Sequence, residues 1–144
     1  MSNKPKIKIA LIGLGRIAQK AYLPILANHS KVDPILCTRN NYTLNKLSNE
    51  YRIHKTCSSL DELILSKPDA AMVHSSTESH VLIIPKLLEA KIPVFVDKPL
   101  SYSLGESERI LDIASKNKLP LYLGFNRRFA PLIKTLSEVP NPIQ

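Results

Sequence analysis

An α/β domain with a doubly wound parallel sheet is the fold class this sequence predicts. Three observations predict it. Short apolar runs alternate with longer amphipathic ones, the first apolar run ends in Gly-x-Gly, and 144 residues that are 44% hydrophobic supply one core rather than two. Right-handed crossovers between successive parallel strands then leave few topologies, chiefly the doubly wound one.

Ile7–Ile12 becomes fully apolar at its end, as a buried parallel strand does. Arg16–Ala27 reads as a helix that Pro24 bends or ends. Pro34–Thr38 is a second strand and Leu44–Tyr51 a second helix. A weak strand lies near His54–Thr56, and Ser59 caps a short helix that stops before Pro68. Ala70–His74 is the next strand. Ser79–Ala90 follows as a helix with Val81, Ile84, Leu87 and Leu88 on one face. Pro93–Val96 is a further strand, and Ser103-Leu-Gly-Glu106 is a capping box opening a helix to about Lys116. Leu119–Gly124 forms a last strand and Pro131–Leu136 a final short helix. Residues 1–137 therefore read as one domain, and 138–144, with Val139-Pro-Asn-Pro, as a linker towards a domain these 144 residues do not contain.

Composition excludes several classes. No apolar run reaches the roughly 18 residues that span a bilayer, so no membrane segment is expected. The stretch from Ile7 is broken by Lys8 and ends in Gly-x-Gly rather than at a cleavage site, which makes it a strand and the compartment cytoplasmic. Cys37 and Cys57 have no Cys-x-x-Cys and no ligand-spaced histidine, so they read as buried thiols, with no metal site. A formal charge of +8 suits nucleic acid, a phosphorylated ligand or an acidic partner. The basic residues are scattered without interleaved aromatics, so nucleic acid is not expected.

Gly13-Leu-Gly15-Arg16-Ile17-Ala18 lies between the first strand and the first helix. Gly13 permits a tight turn, Gly15 lets backbone approach a pyrophosphate, and Ala18 keeps helix and strand close. The helix N-terminus offers amides and a positive dipole end to the phosphates. The turn points to a dinucleotide cofactor on a Rossmann sheet. The second strand ends Cys37-Thr38-Arg39-Asn40 without the acid that a free ribose usually meets, and Asp33 precedes that strand. Arg39 and Thr38 suit a ribose phosphate, which favours NADP over NAD.

Ligands of open α/β sheets bind at the carboxyl ends of the strands. Three polar segments fall there: His74-Ser75-Ser76-Thr77-Glu78-Ser79-His80, Asp97-Lys98-Pro99, and Gly124-Phe125-Asn126-Arg127-Arg128-Phe129. Each has a bland alternative, as helix caps, a satisfied core histidine and a solvated turn. Lys98, at a strand end before a proline, is expected to be partly buried. Burial and a positive nicotinamide would favour its neutral form and suit it to proton transfer.

With these four motifs in this order, the chain resembles the glucose–fructose oxidoreductase, inositol dehydrogenase and MocA (Gfo/Idh/MocA) family over nearly all its length, and within it the MviM-like oxidoreductases. The resemblance implies a Rossmann domain followed by an α+β domain on a mostly antiparallel sheet, absent here, which supplies most substrate contacts. It implies NAD- or NADP-dependent oxidation of sugar- or polyol-like substrates. Asp97-Lys98-Pro99 matches the family's Glu-Lys-Pro, with Asp for Glu, which makes Lys98 the proton-transfer residue. It also implies cofactor contacts from the loop ending in His80 and from Asn126 and Arg127. The expected cofactor set is thus Gly13, Gly15, Arg16, Ile17, Ala18, Thr38, Arg39, Ser75, Ser76, Thr77, His80, Asp97, Lys98, Asn126 and Arg127. The rival reading is a nucleotide-binding module without catalysis, with a regulatory or partner-binding role. Apolar surface left open by the missing domain predicts self-association into a homo-oligomer.

Overall fold

The structure, a computed structural model, describes residues 5–137. Six parallel strands form one sheet in the order β3-β2-β1-β4-β5-β6. Along the chain come β1 (Ile7–Ile12), a π-helical turn (Ala18–Tyr22), α1 (Leu23–Asn28), β2 (Val32–Cys37) and α2 (Asn41–Tyr51). Then follow β3 (Thr56–Cys57), α3 (Leu60–Leu65), β4 (Ala70–Val73) and α4 (Thr77–Glu89). β5 (Val94–Asp97), α5 (Leu104–Asn117), β6 (Leu121–Gly124), a 3-10 turn (Asn126–Phe129) and α6 (Pro131–Ser137) complete the order. The strand order reverses between β1 and β4, which is the Rossmann arrangement and leaves a crevice at their carboxyl ends. The stretch read as linker, 138–144, lies outside the described residues.

Alternation along each strand sends side chains to two separate cores. Ala10, Ile12, Ile35, Ala71, Val73, Val94 and Val96 pack against Leu63 of α3, Ile84, Leu87 and Leu88 of α4, and Ile110 of α5. Leu11 and Leu36 face the other way, against Ala18, Leu23, Leu26, Leu44 and Leu47. The predicted face of α4 is the buried one: Ile84, Leu87 and Leu88 are each fully buried. Pro34 sits inside β2 and has no N–H to give. The amides of Leu36 and Thr38 point to β3, so Pro34 points to the same side, beyond the start of that short strand.

The structure departs from the sequence reading at several boundaries. β2 begins at Val32, so Asp33 lies inside the strand rather than before it, paired in register with Lys8. α2 starts at Asn41 because Asn40 caps it, its side chain accepting from the Thr43 amide at 3.0 Å. α4 starts at Thr77, two residues earlier than Ser79. The expected helix over Arg16–Ala27 contains the π-turn, closed by the Leu23 amide on the Ala18 carbonyl just before Pro24. The capping box of α5 is half made: Ser103 accepts from the Glu106 amide at 3.5 Å, but the Glu106 carboxylate takes the Ser101 hydroxyl instead.

Candidate active site

The glycine turn meets β4 at the crevice. Gly13 has φ +82°, and a Cβ placed there would lie 2.6 Å from the Ser75 amide nitrogen and 2.8 Å from the His74 carbonyl carbon. Its smallness therefore lets the turn after β1 touch the turn after β4. Gly15 is different: a Cβ there meets nothing within 4 Å. Packing among the described residues does not require a glycine at 15, and its absence of a side chain leaves this backbone open to close approach. The helix's first backbone bond runs from the Gln19 amide to the Gly15 carbonyl at 3.1 Å. The amides of Arg16, Ile17 and Ala18 thus precede the helical ladder and are available to an anion. Ala18 is fully buried beneath them, while Arg16 and Ile17 are exposed.

At the end of β2, Thr38 is half-buried and Arg39 exposed. The Thr38 hydroxyl lies 3.4 Å from the Asn40 amide, which shapes the turn. Asp33 is at the opposite end of β2 and pairs with Lys55, so no carboxylate of this strand reaches the ribose side. The loop after β4 carries half-buried Ser75, exposed Ser76 and half-buried Thr77 at the start of α4. The Ser79 hydroxyl ties it together, 2.9 Å from Ser75 Oγ and 2.7 Å from the Ser76 carbonyl.

His80 does not line the crevice. It is 1% exposed, with Nδ1 3.1 Å from the Leu100 carbonyl and Nε2 3.2 Å from the Ser75 carbonyl. It joins the loop after β4 to the segment after Lys98, so it acts on any ligand through those backbones. Asn126 and Arg127 are exposed in the 3-10 turn after β6. Lys98 is also exposed, against the expected partial burial. β5 ends at Asp97, so Lys98 lies beyond the strand, at the open carboxyl edge.

The Asp97 carboxylate sits in a polar cluster with Tyr22, which the sequence reading did not single out, and His74, which it placed at a strand's carboxyl end without giving it a role. Its Oδ2 is 2.6 Å from His74 Nδ1, and the Tyr22 hydroxyl donates to its Oδ1 at 3.2 Å. A carboxylate only accepts, so His74 Nδ1 carries the proton. The Tyr22 and His74 rings stack with centroids 4.1 Å apart, and Phe95 closes the group at 5.8 and 6.1 Å. Burial first, then the negative Asp97 beside it, push the Tyr22 phenol up to about 12, so it stays a donor. Among the described residues, buried His74 Nε2 meets no hydrogen-bond partner. The signal that could have found it is a histidine closing the otherwise apolar run Ala70–Val73, level with an acid closing β5.

Two surface hollows lie at opposite ends of the sheet. One of about 370 Å³ lies beside Lys98 and Pro99, walled by Leu111, Leu123 and Phe125. The other, of about 380 Å³, lies around Lys6, His29 and Arg52 at the amino ends of the strands, away from the glycine turn. Cys37 and Cys57 are buried and in register on β2 and β3. Burial, then the neighbouring Cys57 sulfur, push the Cys37 thiol up to about 12, and burial raises Cys57 too. Among the described residues no group of three metal-ligating side chains converges, and no helix is long and apolar enough to cross a membrane.

The profile of the Gfo/Idh/MocA group, described as an oxidoreductase family with an NAD-binding Rossmann fold, matches residues 7–125. The chain belongs to this family. Among curated relatives, it is 40% identical over 132 residues to the Salmonella typhimurium protein named "Putative oxidoreductase YceM", covering 90% of this chain and 42% of that one. It is 33% identical over 138 residues to the myo-inositol 2-dehydrogenase of Thermotoga maritima, covering 92% and 40%. A crystal structure of a Gfo/Idh/MocA family oxidoreductase from Vibrio cholerae superposes with a TM-score of 0.87 at 46% identity, covering 92% of this chain and 43% of that one. The MviM dehydrogenase from Clostridium difficile gives 0.87 at 39%, covering 94% and 45%. The chain therefore spans about two-fifths of the length of the curated relatives it matches. The matching family is described as having an NAD-binding Rossmann fold. The open backbone at Gly15 and the free amides after it fit that cofactor.

Proposed function

We propose that residues 1–137 form the cofactor domain of an oxidoreductase that moves a hydride between a nicotinamide and a sugar- or polyol-like alcohol or ketone, with NADP preferred to NAD. The observation that carries it is the pairing, on one carboxyl edge, of the open Gly15 backbone with the strand-end Lys98. The Thermotoga relative's name, a myo-inositol dehydrogenase, supports the substrate class. Two buried free thiols fit a reducing compartment such as the cytoplasm.

When bound, the nicotinamide supplies or accepts the hydride. The chain's own residues hold and aim it. The amides of Arg16, Ile17 and Ala18 hold the pyrophosphate, and Thr38 and Arg39 the ribose phosphate. Ser75, Ser76 and Thr77 line the crevice, and Asn126 and Arg127 flank the nicotinamide side. Lys98 Nζ would contact the substrate oxygen and exchange the hydroxyl proton there as the alcohol is oxidised or re-formed. Calorimetric titration with NADPH and NADH tests the cofactor assignment. NADPH should bind roughly tenfold tighter, the worth of a charge-assisted hydrogen bond, and Arg39→Ala should remove that preference. Equal losses for both cofactors in Arg39→Ala would overturn the role of Arg39.

A further inference from the structure

We propose that Tyr22, His74 and Asp97 are positioning residues for Lys98: Tyr22 and His74 hold the Asp97 carboxylate inward, and the anchored Asp97 sets the strand end from which Lys98 projects at the carboxyl edge. This rests on the cofactor reading above. Both oxygens of Asp97 are taken from inside, one by the Tyr22 hydroxyl and one by His74 Nδ1. Asp97 is the last residue of β5 and Lys98 follows it directly, so the tether on Asp97 fixes the backbone from which Lys98 leaves. Among the described residues the ion pairs are Lys55–Asp33, His74–Asp97 and Lys86–Asp61, and Lys98 is in none of them.

The cluster is a built arrangement drawn from four parts of the chain. Tyr22 comes from the π-turn, His74 from the end of β4, Phe95 and Asp97 from β5, and the space beside them from Gly124 at the end of β6. A Cβ at 124 would sit 2.9 Å from the Phe95 ring and 3.3 Å from Asp97 Oδ1, so glycine there makes room for the carboxylate. Phenylalanine at 74 would fill the same box without leaving a buried nitrogen unpaired. What histidine adds is the Nδ1–H for Asp97, and what tyrosine adds over phenylalanine at 22 is the second donor. Packing alone requires neither.

The test reads Lys98 itself. Reductive methylation with 13C-formaldehyde keeps the lysine charge and gives each lysine a methyl signal. Lys98→Arg identifies the one from Lys98. Adding NADH should shift that signal in the native protein. Tyr22→Phe and His74→Leu should keep NADH binding by fluorescence yet lose the shift, and His74→Asn, whose amide nitrogen stands near the Nδ1 position, should restore it. Tyr22→Phe removes one oxygen and keeps the ring, so it carries the test if His74→Leu fails to fold. An NADH-dependent Lys98 shift of native size in Tyr22→Phe would overturn the proposal. So would NADH binding to the native protein with no shift at Lys98. Failure of the native protein to bind NADH at all would instead overturn the cofactor reading, and this proposal with it.

Discussion

In the β1–β2 half of the sheet, buried side chains go to both faces: Ala10, Ile12 and Ile35 to one, Leu11 and Leu36 to the other. In the β5–β6 half, Val94 and Val96 are buried on one face, while Phe95 opposite them is half-buried and Tyr122 is 64% exposed. The first half carries the glycine turn and the ribose side of the crevice. The second carries Lys98. The end with the glycine turn is thus finished by the described residues' own packing, and the end with Lys98 rests on one packed face and a polar cluster.

The largest expected effect of this difference is on stability. Leu36→Ala should cost about 2–5 kcal/mol by leaving a cavity, whereas Tyr122→Ala should stay within about 0.5 kcal/mol. Urea denaturation checks both, and equal costs would erase the contrast. Next come the two glycines. Gly13→Ala should destabilise by roughly 1–3 kcal/mol or more, from the positive φ and from contact with the Ser75 backbone. Gly15→Ala should leave the melting temperature nearly unchanged and weaken only cofactor binding.

A smaller effect separates the cluster from its surroundings. Tyr22 in the folded chain ionises near 12 rather than at 10.0, so its protonated form is stabilised by folding. That stability is complete below pH 10.0 and is lost as pH rises through about 12. The stability advantage of the native protein over Tyr22→Phe should therefore shrink across this window in alkaline denaturation. An advantage constant with pH would contradict both the burial of the phenol and the negative Asp97 beside it. Smallest is association: exposed Tyr122, Phe129 and Leu132 predict weak, concentration-dependent self-association in sedimentation. A clean monomer at high concentration would contradict it.

The fold was legible because hydrophobic period and strand-end glycines are local signals. Ile7–Ile12 and the apolar face of α4 stand where the pattern placed them. Other features depend on partners far away in sequence. Tyr22 and Asp97 are 75 residues apart, and nothing near Tyr22 marks the π-turn that delivers it. The ends of α2 and α5 fall at Arg52 and Lys118 in the left-handed region, where no glycine signals a stop. For the site, the sequence showed which strand ends carry polar residues. It did not show that His80 is turned inward, that Asp97 is held from within, or that Lys98 faces out.

The most direct test of the central account is calorimetric titration of Gly15→Val and the native chain with NADPH, each with its melting curve. A β-branched side chain at 15 meets no protein atom at its Cβ but would stand where the pyrophosphate comes close. Saturable one-to-one binding by the native chain, lost in Gly15→Val at an unchanged melting temperature, is the predicted result. Undiminished binding by a folded Gly15→Val protein, or none by the folded native chain, would contradict the placement of the cofactor on this turn.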